Sequence, residues 1–343
     1  MRRIAGMVLG IWMILGMAGC SLKNPESQQE QVNFFGMDTY MTITAYGERA
    51  GQALEQAQKR IEGLEKEWSV TDENSEIYQA NHSNGSPVTL SEDTKEVVEF
   101  ALHMAEETGG ALEPTIYPVL EAWGFTTDEN RIPSSEELQA LMEHVGYEKV
   151  SLDGNMIRLP EGTELDLGAV GKGYAADVAA EVIKEQGVKS ALLDLGGNIQ
   201  AVGSKPDGTD WRLGIRNPFG DGQIGMLRAS DCAVVTSGSY ERYFIGEDGK
   251  KYTHIIDPKT GYPVDNGLVS VTIVTEEGKM ADALSTAMFV KGLEGAQDYW
   301  KKHQDFDMIA VTEDGDVYVT EGIEHQFTLE KFSQNMELHI ITA

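Results

Sequence analysis

Four short stretches of this chain carry residue types that could do chemistry. Residues 281–288 read as helix, and helical spacing puts Asp282, Ser285 and Thr286 on one face at i, i+3 and i+4. One carboxylate and two hydroxyls on an otherwise apolar helix make an oxygen-only donor set, which a hard cation such as Mg²⁺ prefers. The plainer reading is that Asp282 caps the helix and the hydroxyls bond back to its backbone. Residues 164–174 read as strand, glycine turn and helix, with Asp166 before the turn and Lys172 among Gly168, Gly171 and Gly173. Glycines let backbone N–H groups approach an anion, and a helix start adds a positive dipole end. A turn whose glycines serve packing alone is an equal alternative. The pattern is not a P-loop, because Gly173 follows Lys172 where Ser or Thr would stand, and it is not G-x-G-x-x-G.

His254 lies where a strand runs into the turn 257–263. It is a candidate general base, with Asp257 a weaker candidate for orienting it; the alternative is a structural histidine with Asp257 stabilising the turn. Residues 236–243 read as a hydroxyl-rich turn with Arg242 nearby, and no G-x-S-x-G elbow surrounds Ser237 or Ser239. The other histidines show no metal-ligand spacing.

These stretches need a scaffold to position them. Residues 39–45 alternate as a strand after Gly36, and 52–68 carry Leu54, Ala57, Ile61 and Leu64 at helical spacing. Residues 97–104 continue as helix until Thr108-Gly109-Gly110 stops it. Ser134 and Glu137 form a capping box ahead of a helix over 138–144. Residues 191–195 and 269–274 read as strands, and 307–319 as a hairpin around Glu313-Asp314-Gly315-Asp316. Strands outnumber the helices between them, so the expected class is α+β: one compact domain over 33–332, as one body or two lobes, with a mixed, largely antiparallel sheet and flanking helices. The role of 333–343 is open.

The 343 residues carry a net charge of −29, which excludes a broad nucleic-acid surface because phosphates would be repelled. Any anionic ligand must be held by local cations, a metal or backbone N–H groups. At the start, Arg2 and Arg3 precede a short apolar run that ends in Met17-Ala18-Gly19-Cys20. This reads as a lipoprotein signal over 1–19, with Cys20 to be acylated and 20–32 a polar tether; a plain membrane anchor is the weaker alternative. The expected location is the extracytoplasmic face of the bacterial membrane. Cys232 would then be the one remaining thiol, so no intrachain disulfide and no cysteine zinc site is possible.

Taken in order, the motifs resemble the ApbE-type FAD:protein FMN transferases. The segments that carry the resemblance are Gly36-Met37-Asp38-Thr39, Asn74-Ser75-Glu76-Ile77 with Asn81, and Gly109-Gly110-Ala111-Leu112-Glu113-Pro114-Thr115. They continue with 166–177, 194–198, Thr236-Ser237-Gly238, 254–261 and 282–286, so the match spans about 33–329. The resemblance implies that FAD is the substrate and that its FMN half passes to a Thr or Ser of an exported acceptor flavoprotein. AMP leaves, and Mg²⁺ is required. It places Ala169 (through its backbone), Asp282, Ser285 and Thr286 at metal positions. Met37, Thr71, Ala111, Leu112, Glu113, Asp166, Lys172 and Ile256 fall at FAD-contact positions. His254 is the proposed catalytic base. Glu113 replaces a common Asp, Ser285 stands where some members have a carboxylate, and Ala169 where others have Thr. A metal-dependent FAD pyrophosphatase and a lipid-anchored FAD-binding protein are the rival readings.

Overall fold

A computed structural model describes residues 27–127, 129–330 and 336–343. The expected signal, Cys20 and the first part of the expected tether lie outside the described residues. Among the described residues no helix is long and apolar enough to cross a membrane.

Among the described residues the scaffold is a nine-stranded sheet: β1 (Gln29–Gly36), β2 (Thr39–Tyr46), β3 (Ser190–Leu195), β4 (Asn198–Val202), β5 (Ala233–Gly238), β6 (Leu268–Thr275), β7 (Asp307–Thr312), β8 (Val317–Thr320) and β9 (Leu338–Ile341). The strands lie side by side in chain order. Every neighbouring pair is antiparallel except β8 and β9, which run parallel. The expected α+β class with a mixed, largely antiparallel sheet is therefore what the chain adopts. Two boundaries differ from expectation. Gln29 to Val32, read as tether, belong to β1 because each pairs across to β2. Part of the tail 333–343 forms β9, which closes the far edge of the sheet.

Helices α1 (Ala50–Trp68), α2 (Glu76–Asn81), α3 (Glu92–Glu107), α4 (Tyr117–Trp123), α5 (Ser135–Met142), α6 (Gly171–Glu185) and α7 (Gly278–His303) fill the long connections. The helix of 97–104 and the capping-box helix both form, the latter with Ser134 accepting from the Glu137 N–H. Helices α1, α6 and α7 cover one face of the sheet around Ile61, Leu64, Ala175, Ala179, Leu284 and Met288. The other face packs on a three-stranded sheet of 211–216, 223–229 and 327–329 through Trp211, Leu227, Val234, Ile309 and Val311. A satellite cluster of Val119, Trp123, Leu138 and Ile256 sits beside this sandwich.

Strand alternation along β5 sorts its side chains. Val235 joins the helix-side core, whereas Val234 joins the opposite one. Ser237 therefore faces α7. The turn expected over 236–243 starts later than anticipated, because residues 236–238 pair with β6.

Candidate active site

Helices α6 and α7 meet at two glycines. A Cβ on Gly173 would lie 2.2 Å from the Gly278 carbonyl oxygen and 2.7 Å from the Asp282 Cβ; one on Gly278 would lie 2.5 Å from the Gly173 carbonyl oxygen. Only hydrogen fits at either position, and that closeness lets the Gly173 N–H donate to Asp282 Oδ2 at 2.9 Å. Asp177, one turn further along α6, accepts from the N–H groups of Gly278 (2.6 Å) and Lys279 (2.9 Å), capping α7 from a neighbouring helix. Burial raises the Asp177 pKa against those two N–H bonds. Asp282 thus does not cap its own helix: α7 begins after Glu277, and Asp282 is only 4% exposed.

The hydroxyls behave differently from one another. Ser285 is fully buried and donates to the Asp282 carbonyl at 2.9 Å. Its Oγ is also 2.8 Å from Ser237 Oγ, so the hydroxyl is spent inside the α7–β5 contact and supports the site from behind. Thr286 is half-buried, with Oγ1 3.3 Å from Ser237 Oγ.

The stretch before α6 is not the expected strand. Residue Glu164 makes an isolated parallel bridge with Ile116, and the neighbouring backbone groups find other partners. The Asn81 side-chain amide bonds both ways to Leu165, at 2.9 and 2.8 Å, and the Asp166 N–H donates to the Pro114 carbonyl at 2.8 Å. The turn itself forms as read: Gly168 N–H donates to Asp166 Oδ1 at 2.7 Å, half-buried Ala169 follows, and Lys172 lies in the first turn of α6. Burial raises the Asp166 carboxyl, opposed by the Gly168 N–H and by the charges of Lys172 and Arg242.

His254 follows the short strand 251–253, and its Nδ1 sits 3.1 Å from the Arg242 carbonyl oxygen. A carbonyl only accepts, so Nδ1 carries the hydrogen and Nε2 keeps a lone pair. Burial, with Arg242 and Lys172 adding repulsion, lowers the His254 pKa to about 4. Asp257 does not orient it. That carboxylate accepts from the Lys259 N–H (2.9 Å) and the Thr260 hydroxyl (3.4 Å), so it holds its own turn. The orienting group is a main-chain oxygen, which no residue type announces in a sequence.

A cavity of about 530 Å³, lined among others by Asp38, Phe125, Asn130, Glu241 and Arg242, opens beside His254, whose ring is 6.5 Å from that of Phe125. Glu241 is raised by desolvation, and the charges of Lys172, Arg216 and Arg242 act against that rise, while Asp282 reinforces it. Three cations, Lys172, Arg216 and Arg242, thus lie within electrostatic reach of one acidic cluster, in a chain whose net charge is −29. A larger cavity of about 670 Å³ lies around Cys232, Met280 and Trp300 and holds none of the expected site residues.

The expected flavin contacts fall into two groups. Met37 and Asp38 form the two-residue β1–β2 turn, both at positive φ (47° and 58°), and Glu65 Oε1 accepts from the Met37 N–H at 2.7 Å. Their place beside the cavity comes through Asp38. Ala111 and Leu112 are buried after the Gly109-Gly110 helix stop. Glu113 is filled by its own neighbourhood: it accepts from the Thr115 N–H and hydroxyl and from the Tyr147 N–H, and burial raises it. Ile256 is buried in the satellite core. Thr71 is exposed, and among the described residues its hydrogen bonds go to Ser69, so the structure does not tie it to the rest. Ser237, Asp177, Arg242 and Glu241 complete the site. Of these, Ser237, Glu241 and Arg242 lay in a stretch that reads as a turn, and Asp177 in a helix whose role the sequence left open.

Away from this site, Asp316, Glu337 and His339 bring ligand atoms within 4.8 Å of one another near β9, although the histidines show no metal spacing in sequence. There His339 pairs with Asp316 at 3.5 Å.

The side-chain donors at Asp282 and Thr286 are oxygens, as Mg²⁺ would require: a buried carboxylate held by an amide and a half-buried hydroxyl. The residues present fit such an ion.

Residues 37–310 match the model of the ApbE family. An FAD:protein FMN transferase of Vibrio cholerae is 33% identical over 317 residues, covering 88% of this chain and 92% of that protein. One of Klebsiella pneumoniae is 32% identical, covering 83% and 89%. The crystal structure of the ApbE protein of Thermotoga maritima superposes with a TM-score of 0.83 at 32% identity, over 87% of this chain and 99% of that one. The flavinyl transferase ApbE of Pseudomonas stutzeri, in its apo form, gives 0.79 at 27% identity, over 87% and 96%.

Proposed function

This chain belongs to the ApbE family, and on that premise we propose that it is an FAD:protein FMN transferase. In the proposed reaction a Thr or Ser hydroxyl of an exported acceptor flavoprotein attacks the phosphorus on the riboflavin side of FAD. The bond from that phosphorus to the bridging oxygen breaks, and AMP leaves. The observation that carries this reading is the convergence of an oxygen donor pair, an amide-rich helix start with Lys172, and a neutral imidazole.

His254 Nε2 takes the acceptor's proton. Its lowered pKa keeps it unprotonated at neutral pH, and the Arg242 carbonyl fixes the tautomer. Lys172 and the N–H groups of the glycine turn hold the diphosphate. Asp282, Thr286 and the Ala169 backbone would hold Mg²⁺, with Ser285 behind them. When bound, the ion neutralises charge that builds on the diphosphate and the departing AMP. Arg216 and Arg242 supply the remaining local positive charge that so acidic a chain needs around an anion. The lipoprotein signal would place this chemistry on the outer face of the membrane, where exported acceptors pass.

The test is to incubate the chain from Ser21 with FAD and Mg²⁺, with and without an exported flavoprotein bearing a candidate Thr. AMP release with an FMN-sized mass gain on the acceptor supports the transferase. Equal FMN and AMP release in both arms, with no mass gain, supports a pyrophosphatase in its place. Unsplit FAD with every acceptor of a panel would leave only a binding protein.

A further inference from the structure

Three hydroxyls stand in a row where α7 rests on β5, and each has one proton to give. Ser285 gives its proton to the Asp282 carbonyl, which cannot donate in return. At the 2.8 Å contact between Ser285 and Ser237, Ser237 must then be the donor. Its proton is thereby committed, so at the 3.3 Å contact between Ser237 and Thr286 the donor is Thr286. The order of protons is fixed from the half-buried hydroxyl inward to the helix carbonyl.

We propose that Ser237 is a positioning residue that turns the Thr286 proton into the protein and leaves the Thr286 lone pairs facing the site, as a divalent cation requires. A hydroxyl that presents only lone pairs is a cation ligand and a poor partner for phosphate oxygen. Ser237 can do this because it lies on the helix-side face of β5, and because Ser285 and its carbonyl partner are sealed from water, which would otherwise supply competing donors and acceptors. The inference rests on the reading of Asp282 and Thr286 as metal-holding residues.

The experiment measures binding of Mg²⁺ alone, by titration calorimetry on the FAD-free chain, with the melting temperature of each variant recorded without metal. Ser237→Ala removes the acceptor for the Thr286 proton and weakens Mg²⁺ about tenfold, the scale of one lost hydrogen bond. Ser237→Thr keeps an Oγ on a strand that tolerates β-branching and binds Mg²⁺ within about twofold of wild type. If Ser237→Ala does not fold, Ser237→Cys keeps the size while weakening the hydrogen bond and must also lose affinity. Wild-type affinity in Ser237→Ala or Ser237→Cys overturns the positioning role and leaves the metal reading standing, provided Asp282→Ala abolishes binding. Equal weakening in Ser237→Ala and Ser237→Thr makes the effect one of packing and also overturns it. If wild type takes up no Mg²⁺, or Asp282→Ala binds as wild type does, the metal reading falls and the positioning role falls with it.

Discussion

Both faces of the central sheet are held by apolar burial, but only one adds a seam of directed polar contacts. Behind the sheet, Ile309, Val311, Val317 and Val319 meet Trp211, Leu227 and Phe327 in a cluster held by apolar burial. In front, α6 and α7 press together with no side chain between them at Gly173 and Gly278, and directed polar contacts fix the seam: Asp282 accepts from the Gly173 N–H, the Asp177 carboxylate accepts from the α7 N-terminus, and Ser285 donates to the Asp282 carbonyl. An apolar cluster tolerates small changes in volume at a modest cost. A polar contact with no slack does not, because each displaced donor leaves another group unpaired. The difference shows where the molecule keeps its chemistry: the face that could be softened without loss of position carries none of the site.

That contrast can be broken most severely at the imidazole. His254→Asn should lower transfer by about 10²–10⁴-fold with FAD affinity retained, measured by AMP release and by flavin fluorescence titration. Loss of FAD binding in parallel would make His254 a binding or structural residue. Next comes Gly173→Ala, whose Cβ has nowhere to go. Overpacking should cost roughly 1–3 kcal/mol in chemical denaturation and abolish Mg²⁺ binding in the folded fraction. On the opposite face, Ile309→Val should cost only about 1 kcal/mol and leave kcat within about twofold below the melting temperature. An Ile309→Val enzyme that lost activity without unfolding would show the two faces to be coupled.

The smallest effect expected is in the pH profile. The His254 pKa is lowered from 6.5 to about 4 in the fold. The unfolded chain therefore takes up the proton first. The stability tied to the neutral ring is complete above 6.5 and is lost as pH falls toward 4. For activity the same shift means that kcat/KM changes less than about twofold between pH 7 and 5.5, where an ordinary imidazole base would lose about tenfold. An acid limb near 6.5 would contradict the half-buried, carbonyl-held ring.

How much of this was legible in the sequence depended on whether the signal lay in side chains. The periodicity of 281–288 placed Asp282, Ser285 and Thr286 together, and the glycines of 168–173 marked the turn before α6, because both patterns are set by local geometry. The orienting partner of His254 was not legible, since a carbonyl of Arg242 has no residue signature and Asp257 was the visible acid. Residues 236–238 looked like a turn because Thr, Ser and Gly favour turns, yet pairing with β6 overrode that preference. The strand expected at 164–166 was lost to the Asn81 side chain and the Pro114 carbonyl, partners far away in sequence. β9 pairs in parallel with β8, so no hairpin turn advertised it.

The central claim is that this site moves FMN onto a protein hydroxyl. Its most direct test is the intact mass of an exported acceptor flavoprotein after incubation with FAD, Mg²⁺ and either the wild-type chain or His254→Asn. An FMN-sized gain with wild type, absent with the variant, is the predicted result. FAD split to free FMN and AMP by wild type, with every acceptor of the panel unchanged in mass, would contradict it.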